Sequence, residues 1–147
     1  MDPDRLLDET GLEILRALQD NARISFAELG RRVGLSGPAI TDRIRKMEDE
    51  GIISGYHARV NPAKLGFPVT AYARLRVTRP NFQQVITLAR NLREVRECHR
   101  ASGDDDFLIK LIAPSREDLT SVFEQFRQFG EVHVSVVLST PVEKYAT

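Results

Sequence analysis

From residue 8 to residue 50 the apolar positions recur at helical spacing in three short runs. In residues 8 to 20, Leu12, Ile14, Leu15 and Leu18 form one stripe, and Asp8 stands where an N-cap belongs. Asn21-Ala22-Arg23 interrupts the pattern. A second helix is expected from Ser25-Phe26-Ala27-Glu28, a capping box flanked by Ile24 and Leu29 at the positions of a hydrophobic staple. It should end at Val33, because Gly34 can adopt the left-handed cap. Ser36 then caps a third helix with Pro38 in its first turn, running to Glu50 and closed by Gly51. Ile40, Ile44 and Met47 give it one narrow buried face. The opposite face presents Pro38, Asp42, Arg45, Lys46 and Asp49, with Thr41 on its flank.

The period then changes. Residues 52 to 60 alternate, with Tyr56, Ala58 and Val60 on one side and His57 and Arg59 on the other, so a short strand is expected there, either a wing or a linker. Beyond Pro68 the pattern reads strand, helix, strand, strand, helix, strand. Val69 to Val77 alternates strictly. Phe82, Val85, Ile86 and Ala89 form a helical stripe after Pro80-Asn81. Val95 to Ser102 and Phe107 to Ile112 are strands joined by Gly103-Asp104-Asp105-Asp106. Ser115 caps a helix with the stripe Leu119, Val122, Phe123 and Phe126, and Val132 to Leu138 closes the series. Two βαβ halves in succession make a ferredoxin-like βαββαβ sandwich, with both helices on one face of an antiparallel sheet. The other face is left for a second copy of the chain to cover. The fold class is therefore α+β: an N-terminal helix-turn-helix domain, winged if the 52–60 strand pairs, and a C-terminal ferredoxin-like domain. The expected boundaries are 1–52 for the first domain, 53–66 for a strand or linker, and 67–147 for the second.

Composition narrows the function classes. With 41% hydrophobic and 29% charged residues in 147, the chain has an ordinary globular make-up. No run approaches the ~18 uninterrupted apolar residues of a membrane span, and the acidic opening MDPDRLLDET does not resemble a secretory signal. The expectation is a cytoplasmic protein. Its single cysteine, Cys98, rules out an internal disulfide and any CxxC site.

Charge is the more telling quantity. The chain carries 21 basic and 21 acidic residues, yet residues 31 to 46 hold Arg31, Arg32, Arg43, Arg45 and Lys46 against Asp42 alone. Binding follows the local field rather than the sum. A capped short helix, a tight glycine turn and a capped helix with a basic outer face make a helix-turn-helix, whose second helix can enter a major groove of double-stranded DNA. Small residues at its start, Ser36, Gly37 and Ala39, let the backbone approach base edges. Arg31, Arg32, Arg43 and Lys46 are the candidate phosphate contacts. Gly37, Pro38, Thr41, Asp42 and Arg45 face or flank the bases, and Ser36 stands at the helix start.

Nothing offers enzyme chemistry. Cys98 and His99 are neighbours on a strand and point to opposite faces. His57 and His133 lack metal-ligand spacing, and phosphate-binding and nucleophile-elbow motifs are missing. No catalytic residue, metal or cofactor is expected. The rival reading is a small-molecule sensor that binds no DNA.

The ordered set of motifs resembles the Lrp/AsnC, or feast/famine, family of transcription regulators across residues 8 to 143. It is carried by Leu7-Asp8, Ile14-Leu15, Asp20 to Ser25, Leu35-Ser36 with Arg43, Glu50 to Tyr56, Val60-Asn61-Pro62, Leu65-Gly66, Gly103 to Phe107, and Val137-Leu138-Ser139. The resemblance implies a DNA-binding regulator that responds to a small effector, an amino acid, held where dimers meet, with dimers gathering into octamers. By position, Ser36 to Lys46 corresponds to the family's recognition helix. Gly103, Asp104, Asp105 and Asp106 correspond to its effector loop, which usually reads Gly-Asp-Tyr-Asp. Asp105 stands in the tyrosine's place, removing an aromatic wall and adding a charge. Three adjacent carboxylates attract an ammonium and repel a carboxylate. On its residues alone the loop also reads as a plain polar turn, or as an acidic turn short of the oxygens calcium wants.

Overall fold

The computed structural model describes residues 6–144. The described residues divide into two compact units, residues 6–59 with 142–144, and residues 60–141. The division differs from the sequence boundaries: residues 53–59 go with the first unit, and so does the segment beyond Pro141, where Arg59 and Glu143 form an ion pair.

The first unit holds helices α1 (Glu9–Asp20), α2 (Phe26–Val33) and α3 (Gly37–Asp49). Each begins at an N-cap anticipated from the sequence. The Gly11 amide donates to Asp8 Oδ1 at 2.8 Å, the Glu28 amide to Ser25 Oγ at 3.1 Å and the Ala39 amide to Ser36 Oγ at 3.4 Å. These bonds satisfy amides that a helix start otherwise leaves orphaned. Ile14, Ala17, Leu18, Ile24, Leu29, Ile40, Ile44 and Met47 are buried together with Leu6. Both staple residues, Ile24 and Leu29, lie in this core, so the staple holds α2 at its start. Ile52 and Ile53 pack against the core, but residues 54–60 run on without a ladder. The strand expected over 52–60 does not form among the described residues. Its alternation belongs to an extended segment tied down by Tyr56, whose hydroxyl donates to Glu48 Oε1 at 2.8 Å. Burial and that bond push the Tyr56 phenol up to about 12.

The second unit contains β1 (Val69–Val77), α4 (Phe82–Asn91), β2 (Val95–Arg100), β3 (Phe107–Ala113), α5 (Arg116–Arg127) and β4 (Gly130–Val136). The four strands form one antiparallel sheet in the order β2-β3-β1-β4, the ferredoxin-like arrangement. The strict alternation of β1 becomes a register in which Ala71, Ala73 and Leu75 stand opposite Leu111, Ile109 and Phe107, all fully buried. Val85 and Ala89 of α4 and Leu119, Val122, Phe123 and Phe126 of α5 close the core from the same side. Each such Leu, Ile or Phe is worth about 1.5–3 kcal/mol of burial. The last strand lies two residues earlier than Val132 to Leu138, because Gly130 and Glu131 already pair with Val77 and Arg76.

Among the described residues of this unit, both helices lie on the core side and neither covers the opposite face of the sheet. Tyr72 and Leu108 are exposed there beside Arg74, Arg76 and His133.

Candidate nucleic-acid interface and effector loop

The turn that makes α2 and α3 a motif is only three residues long. Gly34 takes φ +70° at the end of α2, and the amides of Gly34 and Leu35 both donate to the Gly30 carbonyl. Gly30 is packed so closely that a Cβ there would stand 2.4 Å from the Leu35 carbonyl oxygen. The turn therefore has one geometry, and α3 leaves it with Ile40, Ile44 and Met47 facing the core.

The basic residues sort themselves by environment. Arg45 projects from the far side of α3 with 79% of its side chain exposed and Asp49 at 3.9 Å. Lys46 lies against Asp42 at 2.6 Å, an exposed i,i+4 pair worth little, so its ammonium is cheaply redirected. Pro38, Thr41 and Asp42 are exposed on the same helix, the Thr41 hydroxyl donating to the Gly37 carbonyl at 3.0 Å. Arg31 and Arg32 are exposed in the last turn of α2, with Ser36 exposed at the cap between the helices.

Arg43 differs. Its side chain is 20% exposed and reaches inward, pairing with the Asp8 carboxylate and donating to the Leu6 carbonyl at 3.5 Å. The expected phosphate contact is thus turned toward the N-cap of α1. One carboxylate serves both the Gly11 amide and Arg43, and together they hold Asp8 below the usual carboxylate range. Lowering marks stability that is present above the ordinary value of about 3.9 and lost as pH falls through the folded one. Asp8→Asn should therefore lower the melting temperature at neutral pH. The gap to the parent should close as the pH is taken down past 4, and a gap constant with pH would sink the assignment.

In the second unit, the 103–106 turn is clamped rather than free. Gly103 adopts φ +111°. Asp106 accepts from the Val77 amide at 2.8 Å, its own amide donates to the Leu75 carbonyl at 2.8 Å, and its carbonyl accepts from Ala101 at 2.9 Å. Arg76 Nε donates to the Asp104 carbonyl at 2.8 Å, and Arg74 faces Asp105 at 3.8 Å. The alternation of β1 sets both arginines on the face away from Ala71, Ala73 and Leu75 without marking them for this task. The alternation that put them there was the available signal. Two of the three carboxylates, those of Asp105 and Asp106, therefore have partners within the fold, which leaves Asp104 to face solvent.

Cys98 and His99 lie on opposite faces of β2, opposite Ile109 and Leu108. Burial pushes the Cys98 thiol up, and His99 sits 3.1 Å from Glu97. Among the described residues no group of three or more His, Cys, Asp or Glu could hold a metal ion, and no helix is long and apolar enough to cross a membrane.

Comparison with known proteins matches both units in order. Residues 7–54 fit the winged helix-turn-helix DNA-binding family, and residues 70–147 fit the Lrp/AsnC ligand binding domain. The chain is 30% identical to the transcriptional regulator LrpB of Bacillus subtilis over 96% of this chain and 95% of that protein. It is 39% identical to the leucine-responsive regulatory protein of Escherichia coli over 76% of this chain and 70% of that one. The solved structure of B. subtilis LrpC superposes with a TM-score of 0.88 at 29% identity, covering 94% and 99% of the two chains. A helix-turn-helix with a basic outer helix, followed by a sheet-and-helix domain of the ligand-binding type, is the plan of a regulator rather than an enzyme, and the chain belongs to the Lrp/AsnC family of DNA-binding transcription regulators.

Proposed function

We propose that this regulator reads base edges with the exposed side of α3 and takes an amino acid beside the 103–106 turn of its second unit. The observation that carries the DNA half is the position of Arg45, the most solvent-projecting cation of α3, on the face opposite Ile40, Ile44 and Met47. Arg45, Thr41, Asp42, Gly37 and Pro38 approach the bases, while Arg31, Arg32, Lys46 and the Ser36 cap approach phosphates. Arg43 acts one step removed, fixing α3 to α1. This reading places the protein in the cytoplasm, where its DNA is.

The effector class rests on the ligand-binding family of the second unit and on the name of the E. coli relative, which is leucine-responsive. The helix-free sheet face, with Tyr72 and Leu108 exposed, is where a second copy packs. A twofold dimer also suits recognition helices that read half-sites about 34 Å apart. Dimers then gather into octamers with effector between them, and ligand acts by changing the spacing of paired recognition helices.

The test is thermal unfolding against each of the twenty amino acids, followed by footprinting of the protein's own promoter with and without the responder. A ligand at 100 times its dissociation constant adds about 2.7 kcal/mol, a readily seen shift. A responder that changes neither the assembly mass nor the footprint would overturn the coupling. A panel with no responder would overturn the effector class.

A further inference from the structure

The cleft on the helix side of the 103–106 turn carries a charge pattern that narrows the effector. The turn Arg79–Asn81 and Phe82, the first residue of α4, face the end of β2 across an open cleft of about 290 Å³ lined by Arg79, Phe82, Arg100 and Asp106. That volume is at the small end of ligand sites, the size for a metabolite rather than a cofactor.

Arg100 is held in place by stacking. Its guanidinium carbon lies 4.5 Å over the Phe82 ring, and Phe82 meets Phe107 edge-on at 5.3 Å and 84°. A guanidinium laid on an aromatic face keeps its N–H donors in plane, aimed outward for a carboxylate fork. Four arginines of this unit have acceptors: Arg74 has Asp105, Arg76 the Asp104 carbonyl, Arg93 Glu94 and Arg127 Glu124. Among the described residues, neither the Arg79 nor the Arg100 guanidinium makes an ion pair or a hydrogen bond. The remaining charge in the cleft is Asp106, one of whose oxygens already accepts from the Val77 amide.

Two guanidinium groups and one carboxylate leave a net single positive charge. The complementary small molecule has two carboxylates and one ammonium. We infer that this cleft binds a dicarboxylic α-amino acid of the aspartate or glutamate class, its two carboxylates on Arg79 and Arg100 and its ammonium at Asp106. The inference rests on the amino-acid reading above and adds the side-chain class and the residues that select it. It also removes the difficulty of an acidic turn beside an acidic ligand, since Asp105 is matched by Arg74 and Asp106 is bound to backbone. A neutral amino acid would leave one guanidinium without its anion, forgoing a charge-assisted pair.

The experiment is calorimetric titration of the full chain with L-glutamate, L-aspartate, L-glutamine, L-leucine and 2-oxoglutarate, repeated on Arg79→Gln and Arg100→Gln. Glutamate or aspartate should bind at least tenfold tighter than glutamine and leucine, and each substitution should weaken it at least tenfold. Both arginines are exposed, so unchanged melting temperatures without ligand will show that the variants are folded. If leucine or glutamine binds best and keeps its affinity in both variants, the cleft assignment falls while the amino-acid reading stands. If 2-oxoglutarate matches glutamate, the ammonium contact at Asp106 falls. If none of these four amino acids binds, the cleft assignment falls, and a blank across all twenty takes the amino-acid reading with it.

Discussion

Gly30→Ala is expected to disable the DNA-binding unit while leaving the ligand-binding unit folded. The new methyl would sit 2.4 Å from the Leu35 carbonyl oxygen and 3.5 Å from Ile40 Cγ1. The first contact is with backbone, which cannot rotate aside as a side chain would. Relief requires Leu35 to move, and the amides of Gly34 and Leu35 both donate to the Gly30 carbonyl, so the whole turn must open. The cost should reach ~3 kcal/mol, the upper part of the range for overpacking a filled site. Specific DNA binding should fall at least about tenfold, because the turn sets the angle at which α3 meets a groove. Gly34→Ala is the control. A Cβ there meets nothing within 4 Å, so its cost is confined to holding φ +70° with a side chain, about 1–2 kcal/mol, and the packing of α3 survives. Denaturant unfolding followed by far-ultraviolet circular dichroism, together with a binding isotherm on one operator, separates the two. Equal stability of Gly30→Ala and the parent would mean that the turn has slack.

The contrast between these glycines shows which parts of the molecule were legible in the sequence. Gly34 announces itself by following a helical stripe, as Ser25, Ser36, Asp8 and Ser115 do by preceding one. Local signals of that kind located α1, α2, α3 and α5, a stripe after Pro80-Asn81 located α4, and the strict alternation of Val69 to Val77 located the central strand with its buried side. Gly30 gives no such sign, because its constraint comes from a carbonyl five residues away across a turn. The segment 52–60 failed for the complementary reason. Alternation describes an extended chain with two unlike sides, but a strand also needs a partner, and Tyr56 finds Glu48 on α3 instead. In the candidate sites the residue types were legible and the pairings were not. Asp8 read as a cap and Arg43 as a phosphate contact, yet 35 residues apart in sequence they share one ion pair. Arg74 and Arg76 read as outer-face residues, yet they neutralise and hold the acidic turn. Charge pairing across sequence distance is a property of the fold.

That difference in pairing predicts how three neighbouring cations of α3 will behave on DNA. Arg45 has its guanidinium in solvent beside Asp49, free to lie against a base edge. Arg45→Ala should cost roughly 1–3 kcal/mol on the best operator and relax the preference at one base position, with stability unchanged. Lys46 gives up only an exposed pair with Asp42 to reach a phosphate. Lys46→Ala should weaken all sequences alike and reduce the salt slope by about one. Arg43→Ala belongs to neither class, because its partners are Asp8 and the Leu6 carbonyl. It should lower the melting temperature of the first unit and lose affinity through misplacement of α3, with the salt slope of the remaining binding unchanged. Affinities at several salt concentrations on matched and scrambled operators, set beside melting curves, give each variant its own signature. A lowered salt slope for Arg43→Ala at an unchanged melting temperature would return that residue to the phosphate contacts and leave Asp8 a helix cap only.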